Sequence, residues 1–235
     1  MKGTDTAERV GPLRVTQAGL LAPAEVKRGM MVVLGAALLL GCYLVWVGGW
    51  PILLIGVASL VCAVAYTGGP YPLAYHGLGD VFVFVFFGLV AVWGTYWVQA
   101  RAVPPGALLA GAGIGALSTA ILVVNNLRDR ATDARANKRT LAVRIGRTGT
   151  AVEYTALVAL AALAPGLGVV LHGWPRAAAL AGVAALALCV RPLRAVWGHA
   201  EARELLPALG ETARAVAVYG VLLGAALAWG LLVPF

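Results

Sequence analysis

The chain has 235 residues, of which 61% are hydrophobic and only 12% are charged, and its formal net charge is +8. A soluble domain would be about half apolar and about a quarter charged, and a disordered chain would be poor in apolar residues, so both classes are excluded. A basic balance can indicate nucleic-acid binding. Here, however, the bases lie between apolar runs, as topology signals do in membrane proteins. We therefore predict a polytopic membrane protein that binds no nucleic acid.

Seven apolar runs are candidates for membrane spans, because crossing about 30 Å of hydrocarbon takes roughly 20 residues of helix. Their continuous apolar character favours helices over the alternating strands of a barrel. We predict an all-α transmembrane bundle with spans at 29–47, 50–67, 80–98, 106–124, 149–171, 174–191 and 213–233. The small residues of "GAGIGAL" (111–117) predict close helix packing, since a nucleotide loop would need a strand before it.

The basic residues predict the orientation of the bundle. Lys and Arg concentrate in four segments, 1–28, 68–79, 125–148 and 192–212, whereas the opposite side holds only Arg101 and Arg176. Cytoplasmic loops carry the excess of positive charge. We therefore expect these four segments, including the amino terminus, to face the cytoplasm.

One polar segment, "NNLRDRATDARANKRTLAVRIG" (125–146), carries the strongest candidate site. Asn125, Asp129 and Asp133 are spaced at i, i+4 and i+8, so they share one face if the preceding helix continues past the membrane. Asn126 lies beside that face. Carboxylate and amide oxygens suit Mg²⁺, which takes one or two carboxylates and is completed by water and substrate phosphates.

The bases that follow this face would complement phosphate oxygens. They are Arg135, Lys138, Arg139 and Arg144. A solvated loop with ion pairs on a helix surface is the alternative interpretation of the segment.

A second polar segment, "YTGGPYPLAYHGLGD" (66–80), contains Tyr66, Tyr71, Tyr75 and His76 and ends at an acid. Aromatic residues at a membrane interface commonly form a belt. In a Gly/Pro loop they could instead shape a pocket for an aromatic ring, and the residues leave both interpretations open. Metal ligands, bases and tyrosines together favour transfer of a lipid from its diphosphate. A small-solute transporter or a membrane scaffold is the alternative, although transport sites usually lie near the bilayer midplane.

Segment 125–146 resembles the second Asp-rich motif of the UbiA-type membrane prenyltransferases. With "GTDTAERVGPLRVTQAGL" (3–20) and "YTGGPYPLAYHGLGDVFVFVFFGLVAVWGTY" (66–96), the chain is similar to the 1,4-dihydroxy-2-naphthoate polyprenyltransferase branch of menaquinone synthesis over 1–235. The resemblance implies nine helices around a central cavity in the bacterial inner membrane. Mg²⁺ would bind polyprenyl diphosphate, and the allylic cation formed on its departure would alkylate an aromatic acceptor. The acceptor would lose its carboxyl group, giving demethylmenaquinone. Other branches of the family use 4-hydroxybenzoate, haem or chlorophyllide as the acceptor. The segments "GPLRVTQAGL" (11–20) and "YTGGPYPLAYHGLGD" (66–80) argue against these alternatives.

The resemblance also implies roles for individual residues. The metal ligands would be Asn125, Asn126, Asp129, Asp133 and Asp5, of which the three acids would be catalytic. The diphosphate would meet Lys138, Arg139, Arg9 and Arg14, and the aromatic acceptor Tyr66, Tyr71, Tyr75 and His76.

In one respect the sequence departs from the family pattern. The first motif of the family has the form N-D-x-x-D, and here only its continuation from Gly3 to Asp5 is present. Seven spans in place of nine agree with this difference. We therefore expect a single membrane domain, 1–235, that lacks the first two helices and is inactive or nearly so.

Overall fold

A computed structural model describes residues 15–16 and 18–232, the last two of them by their backbone alone. Asp5, Arg9 and Arg14, which the resemblance places in the site, lie outside the described residues.

Each of the seven predicted spans falls on one helix. The helices are α1 (Pro23–Gly48), α2 (Trp50–Ala65), α3 (Gly79–Ala100), α4 (Pro105–Arg135), α5 (Leu141–His172), α6 (Ala179–Gly198) and α7 (Leu206–Leu232). Among the described residues, six helical segments are long and apolar enough to cross a membrane, and α2, with 16 residues, is shorter. The part of the chain that the structure covers contains no strand. The predicted all-α membrane bundle is confirmed.

Local sequence explains where several helices begin and end. Proline occupies the first turn of α1, α2 and α4, where its missing N–H costs nothing and its fixed φ suits a helix. Gly49, with φ +74°, separates α1 from α2, and Gly173, with φ +65°, follows α5. These left-handed conformations favour glycine because it has no Cβ.

Helix α4 is the centre of the bundle. It contacts α3, α5 and α7, and 61% of its most apolar stretch is buried, whereas none of the corresponding stretch of α1 is. The α1–α2 pair packs mainly on itself and on the second half of α3. The apolar length of α4 is therefore enclosed by other helices.

Close packing at the predicted glycines is confirmed. A Cβ on Gly88 of α3 would lie 2.5 Å from the Gly111 carbonyl oxygen and from the Gly115 Cα, so α3 and α4 approach backbone to backbone. Gly113 faces the ring of Tyr219 on α7. Gly88 itself lies in a π-helical turn, Phe84–Val90, which the sequence analysis did not predict.

Successive loops alternate between the two ends of the bundle. At one end, the Arg139 N–H donates to the Tyr75 carbonyl at 3.0 Å, and the Arg147 guanidinium donates to the Trp197 carbonyl at 3.0 Å. At the other end, the side chains of Trp97 and Arg101 both donate to the Gly48 carbonyl at 2.8 Å. The described parts of the segments predicted to share one side of the membrane therefore do share one end.

Candidate functional site

The polar face of the site is built on α4, which continues as helix to Arg135. Asn125, Asp129 and Asp133 thus occupy successive turns of one helix side, as the spacing predicts. Asn126, beside them, is 4% exposed and Asp133 is 9% exposed. The face is therefore partly enclosed rather than a freely solvated helix surface.

Arg128 fixes two members of this face. Its Nε and Nη2 donate to the two carboxylate oxygens of Asp129 at 2.7 Å each, and Nη2 also donates to the Asn125 Oδ1 at 2.9 Å. The Arg128 side chain is only 4% exposed. A two-pronged guanidinium–carboxylate pair sets orientation as well as charge balance. The sequence analysis missed Arg128. The sequence feature that could have identified it is a base that follows Asn125 by three residues and directly precedes Asp129.

Lys138 balances the other acid of the face. The chain reverses after α4 through Asn137, whose φ is +54°, and the Lys138 N–H donates to the Asp133 carbonyl at 2.8 Å. This turn brings the Lys138 Nζ to 3.0 and 3.2 Å from the two carboxylate oxygens of Asp133. The base predicted to bind diphosphate therefore lies directly beside an acid predicted to bind metal.

A cavity of about 140 Å³ opens where the loop 66–78, the start of α3 and the end of α4 meet. Its apolar wall includes Leu122 and Ala74. Its polar wall is formed by Tyr66, Asp80, Asn125, Asn126, Lys138 and Thr140. The structure thus brings together residues predicted separately for metal, diphosphate and aromatic acceptor.

Asp80 is a polar member of this wall to which the sequence analysis gave no role. It is 4% exposed, and within the described chain its Oδ2 has no hydrogen-bond partner. An unpartnered buried carboxylate oxygen is costly. Tyr66, which follows α2, is near it: burial first, and the Asp80 charge second, raise the pKa of the Tyr66 phenol, which therefore stays protonated.

The remaining loop residues predicted for the acceptor are placed differently. Tyr71 is 56% exposed and stacks on His76 with ring centroids 3.6 Å apart. The His76 Nδ1 hydrogen-bonds to the Pro72 carbonyl at 2.9 Å. Of the loop tyrosines only Tyr66 lines the cavity, and Tyr75 contributes its carbonyl to Arg139. The side chain of Arg139 is exposed.

The α4 face has the donor chemistry that Mg²⁺ requires. Asp129 and Asp133 retain 28% and 12% side-chain exposure, and their oxygens have lone pairs beyond those that the bases occupy. Two carboxylates with neighbouring amide oxygens fit a cation that keeps waters and takes phosphate ligands. Among the residues that the structure places, no group of three or more His, Cys, Asp or Glu side chains lies close enough to hold a metal ion together, so a cation on this face would need amide, water or phosphate ligands as well.

A larger, apolar cleft of about 670 Å³ lies between α1, α2 and α3. Leu44, Ile52, Phe86 and Val90 are among the side chains that line it. A cleft of this character can hold a hydrocarbon chain away from water.

Comparison with known proteins identifies the family of the chain. The sequence pattern of the UbiA prenyltransferase family matches residues 4–205. A 1,4-dihydroxy-2-naphthoate octaprenyltransferase of Mycobacterium tuberculosis is 38% identical over 230 residues, which is 98% of this chain and 77% of that protein.

Proteins of the same name from other bacteria are also similar. The one from Haemophilus influenzae is 40% identical over 69% of this chain and 54% of its own length, and the one from Bacillus subtilis is 30% identical over 96% and 72%. No solved structure matches the chain at a significant level. A family match over most of the chain, with relatives at this identity, identifies it as a multi-pass membrane enzyme: the chain belongs to the UbiA prenyltransferase family.

Proposed function

We propose that the chain transfers a polyprenyl group from polyprenyl diphosphate to 1,4-dihydroxy-2-naphthoate, with release of diphosphate and of the carboxyl group as CO₂, giving the reduced, quinol form of demethylmenaquinone. The observation that carries the proposal is the acid–amide face of α4, which adjoins a cavity shared by Lys138 and Tyr66. The relatives named for this acceptor support the choice of substrate.

In this proposal Asp129 and Asp133, with Asn125 and Asn126, hold Mg²⁺ against the diphosphate. A bound Mg²⁺ supplies charge stabilisation for the departing diphosphate and so assists ionisation to an allylic cation. Asp5, which matches the last acid of the first Asp-rich motif of the family, would complete the metal site.

The bases bind the leaving group. Lys138, whose side chain is 24% exposed and whose ammonium pairs with Asp133, is a donor that can exchange this carboxylate for a phosphate oxygen. Arg139, which is exposed on the same loop, and Arg9 and Arg14 would add charge around the diphosphate.

The acceptor ring would bind in the cavity beside Tyr66, at the end of the bundle where the loop 66–78 carries Tyr71, Tyr75 and His76. The apolar cleft between α1, α2 and α3 would hold the prenyl chain. The chain acts in this proposal as one membrane domain, 1–235. Its polar end faces the cytoplasm, because the Lys and Arg residues concentrate there.

The test is prenyl transfer by the protein in lipid nanodiscs with Mg²⁺, polyprenyl diphosphate and carboxyl-labelled 1,4-dihydroxy-2-naphthoate. The assay compares this chain with a form extended in frame at its amino terminus; we expect a prenylated product and release of labelled CO₂ from the extended form, which carries the variants that follow. Asp129→Asn should lower kcat by about 100-fold or more, the scale on which one electrostatic stabiliser acts. The control Glu201→Gln neutralises an exposed acid at the same end of the bundle and should leave the rate unchanged. Transfer to 4-hydroxybenzoate but not to the naphthoate would refute the proposed acceptor.

A further inference from the structure

The carboxylate of Asp80 is a binding group that the reaction, as described above, does not use. It lies in the first turn of α3, where the helix dipole favours negative charge. It is 4% exposed and lines the same cavity as Asn125 and Asn126. Its Oδ2, however, lacks a hydrogen-bond donor among the described residues. Within the described part of the chain, the cavity therefore contains a buried acceptor without a donor.

None of the described donors around the cavity is hydrogen-bonded to this oxygen. Lys138 is close enough to act on Asp80 electrostatically, yet its Nζ makes its hydrogen bonds to both oxygens of Asp133. The Tyr66 hydroxyl lies beside the α3 backbone, 3.0 Å from where a Cβ of Gly79 would be. A ligand entering the cavity would thus meet Asp80, a phenol and an apolar wall together.

The character of the cavity favours a hydroxyl over a cation as the partner of Asp80. Its volume of about 140 Å³ corresponds to roughly four or five waters. This space admits the edge of a ring. The Lys138 ammonium in the same wall would repel a second cation. A neutral O–H group satisfies the free oxygen without adding charge.

We propose that Asp80 binds the aromatic acceptor by accepting a hydrogen bond from one of its ring hydroxyls at Oδ2, and so orients the ring beside Tyr66. The inference rests on the proposed function, since it assumes a hydroxylated aromatic substrate. Asp80 acts here as a specificity residue: an acceptor whose hydroxyl is blocked leaves the buried oxygen unpaired, which a site of this kind rejects strongly.

The experiment is a cycle of two proteins and three ligands. Wild type and Asp80→Ala, in detergent, are compared by equilibrium dialysis for binding of 1,4-dihydroxy-2-naphthoate and its two mono-methyl ethers. For wild type we expect at least about a tenfold weaker Kd for one of the ethers, as loss of a charged hydrogen bond implies. For Asp80→Ala all three ligands should bind within about threefold of one another. The KM for polyprenyl diphosphate should stay within about twofold of wild type.

A second variant keeps the test decisive if Asp80→Ala is unstable. Asp80→Asn retains the size and a neutral acceptor, and it should show an intermediate discrimination between the hydroxyl and its ether. The melting temperature of each variant identifies any that fails to fold.

The opposing outcomes are distinct. Equal discrimination by wild type and the Asp80 variants would overturn the role of Asp80 while leaving prenyl transfer intact. A change confined to the Mg²⁺ dependence of the rate would assign Asp80 to a cation and also overturn it. Failure of the wild type to bind or prenylate the naphthoate would instead refute the proposed function, and the role of Asp80 with it.

Discussion

Replacing Arg128 with Met would remove the donor that holds the α4 face together while keeping the aliphatic length of the side chain. Three charged hydrogen bonds, of 2.7, 2.7 and 2.9 Å, would be lost, and Asp129 and Asn125 would each lose a partner. Breaking a buried ion pair costs about 3–5 kcal/mol. The Asp129 side chain is 28% exposed, so water can replace part of the loss, and we expect about 2–3 kcal/mol.

For a chain of this size each kcal/mol corresponds to about 2–4 °C in Tm, so Arg128→Met should lower the melting temperature in detergent by about 4–12 °C. The matched control is Arg130→Met. Arg130 lies two residues further along the same helix, and its side chain is exposed. Its effect should be below about 0.5 kcal/mol, as for ordinary surface substitutions.

The pairing can be isolated by a double-mutant cycle with Asp129→Asn. Because each change removes the same ion pair, the double variant should be less destabilised than the sum of the single variants, by about 1 kcal/mol or more. Additive effects, or equal Tm shifts for the Arg128 and Arg130 variants, would refute the assignment of Arg128 as the residue that orders the face.

Three further predictions concern packing, charge and a buried hydrogen bond. Gly88→Ala should destabilise the α3–α4 contact by about 1–3 kcal/mol, whereas Gly94→Ala, whose Cβ would lie 3.7 Å from its nearest neighbour, should change Tm little; equal Tm values would contradict the close approach. Lys138→Gln should raise the KM for polyprenyl diphosphate by about tenfold or more and weaken the salt dependence of binding; a kinetic titration showing an unchanged KM would exclude Lys138 from diphosphate binding. Thr212→Val should cost about 1–2 kcal/mol in thermal unfolding, because its hydroxyl is hydrogen-bonded to the buried Tyr154 hydroxyl at 2.8 Å; no loss in Tm would mean that this bond contributes nothing.

The helices were predictable because hydropathy alone determines which segments can cross a bilayer. The face on α4 was predictable for a related reason: i, i+4 and i+8 spacing is local, and it needs only that one helix continue to Arg135. Close packing at Gly111, Gly113 and Gly115 followed from residue size, whereas their partners Gly88 and Tyr219 were not predicted.

What sequence could not supply was the meeting of distant segments. Asp80 lies beyond the loop of tyrosines, and its burial beside Asn126 depends on how α3 packs on α4. The direction of the Arg128 side chain, toward Asp129 and Asn125 rather than solvent, depends likewise on the surrounding helices. The π-helical turn of α3 has no periodicity of its own in so uniformly apolar a segment.

The ion pairs of the α4 face have a consequence for how charge enters the site. Arg128 and Lys138 already neutralise Asp129 and Asp133, so the folded chain needs no cation to tolerate these acids, and its melting temperature should depend little on chelators. When a metal ion and a diphosphate bind, each side chain would exchange its partner. The carboxylates of Asp129 and Asp133 would bind the cation, and the bases that they release would bind the diphosphate. Such an exchange adds little net charge to the membrane edge, which keeps the electrostatic cost of binding low.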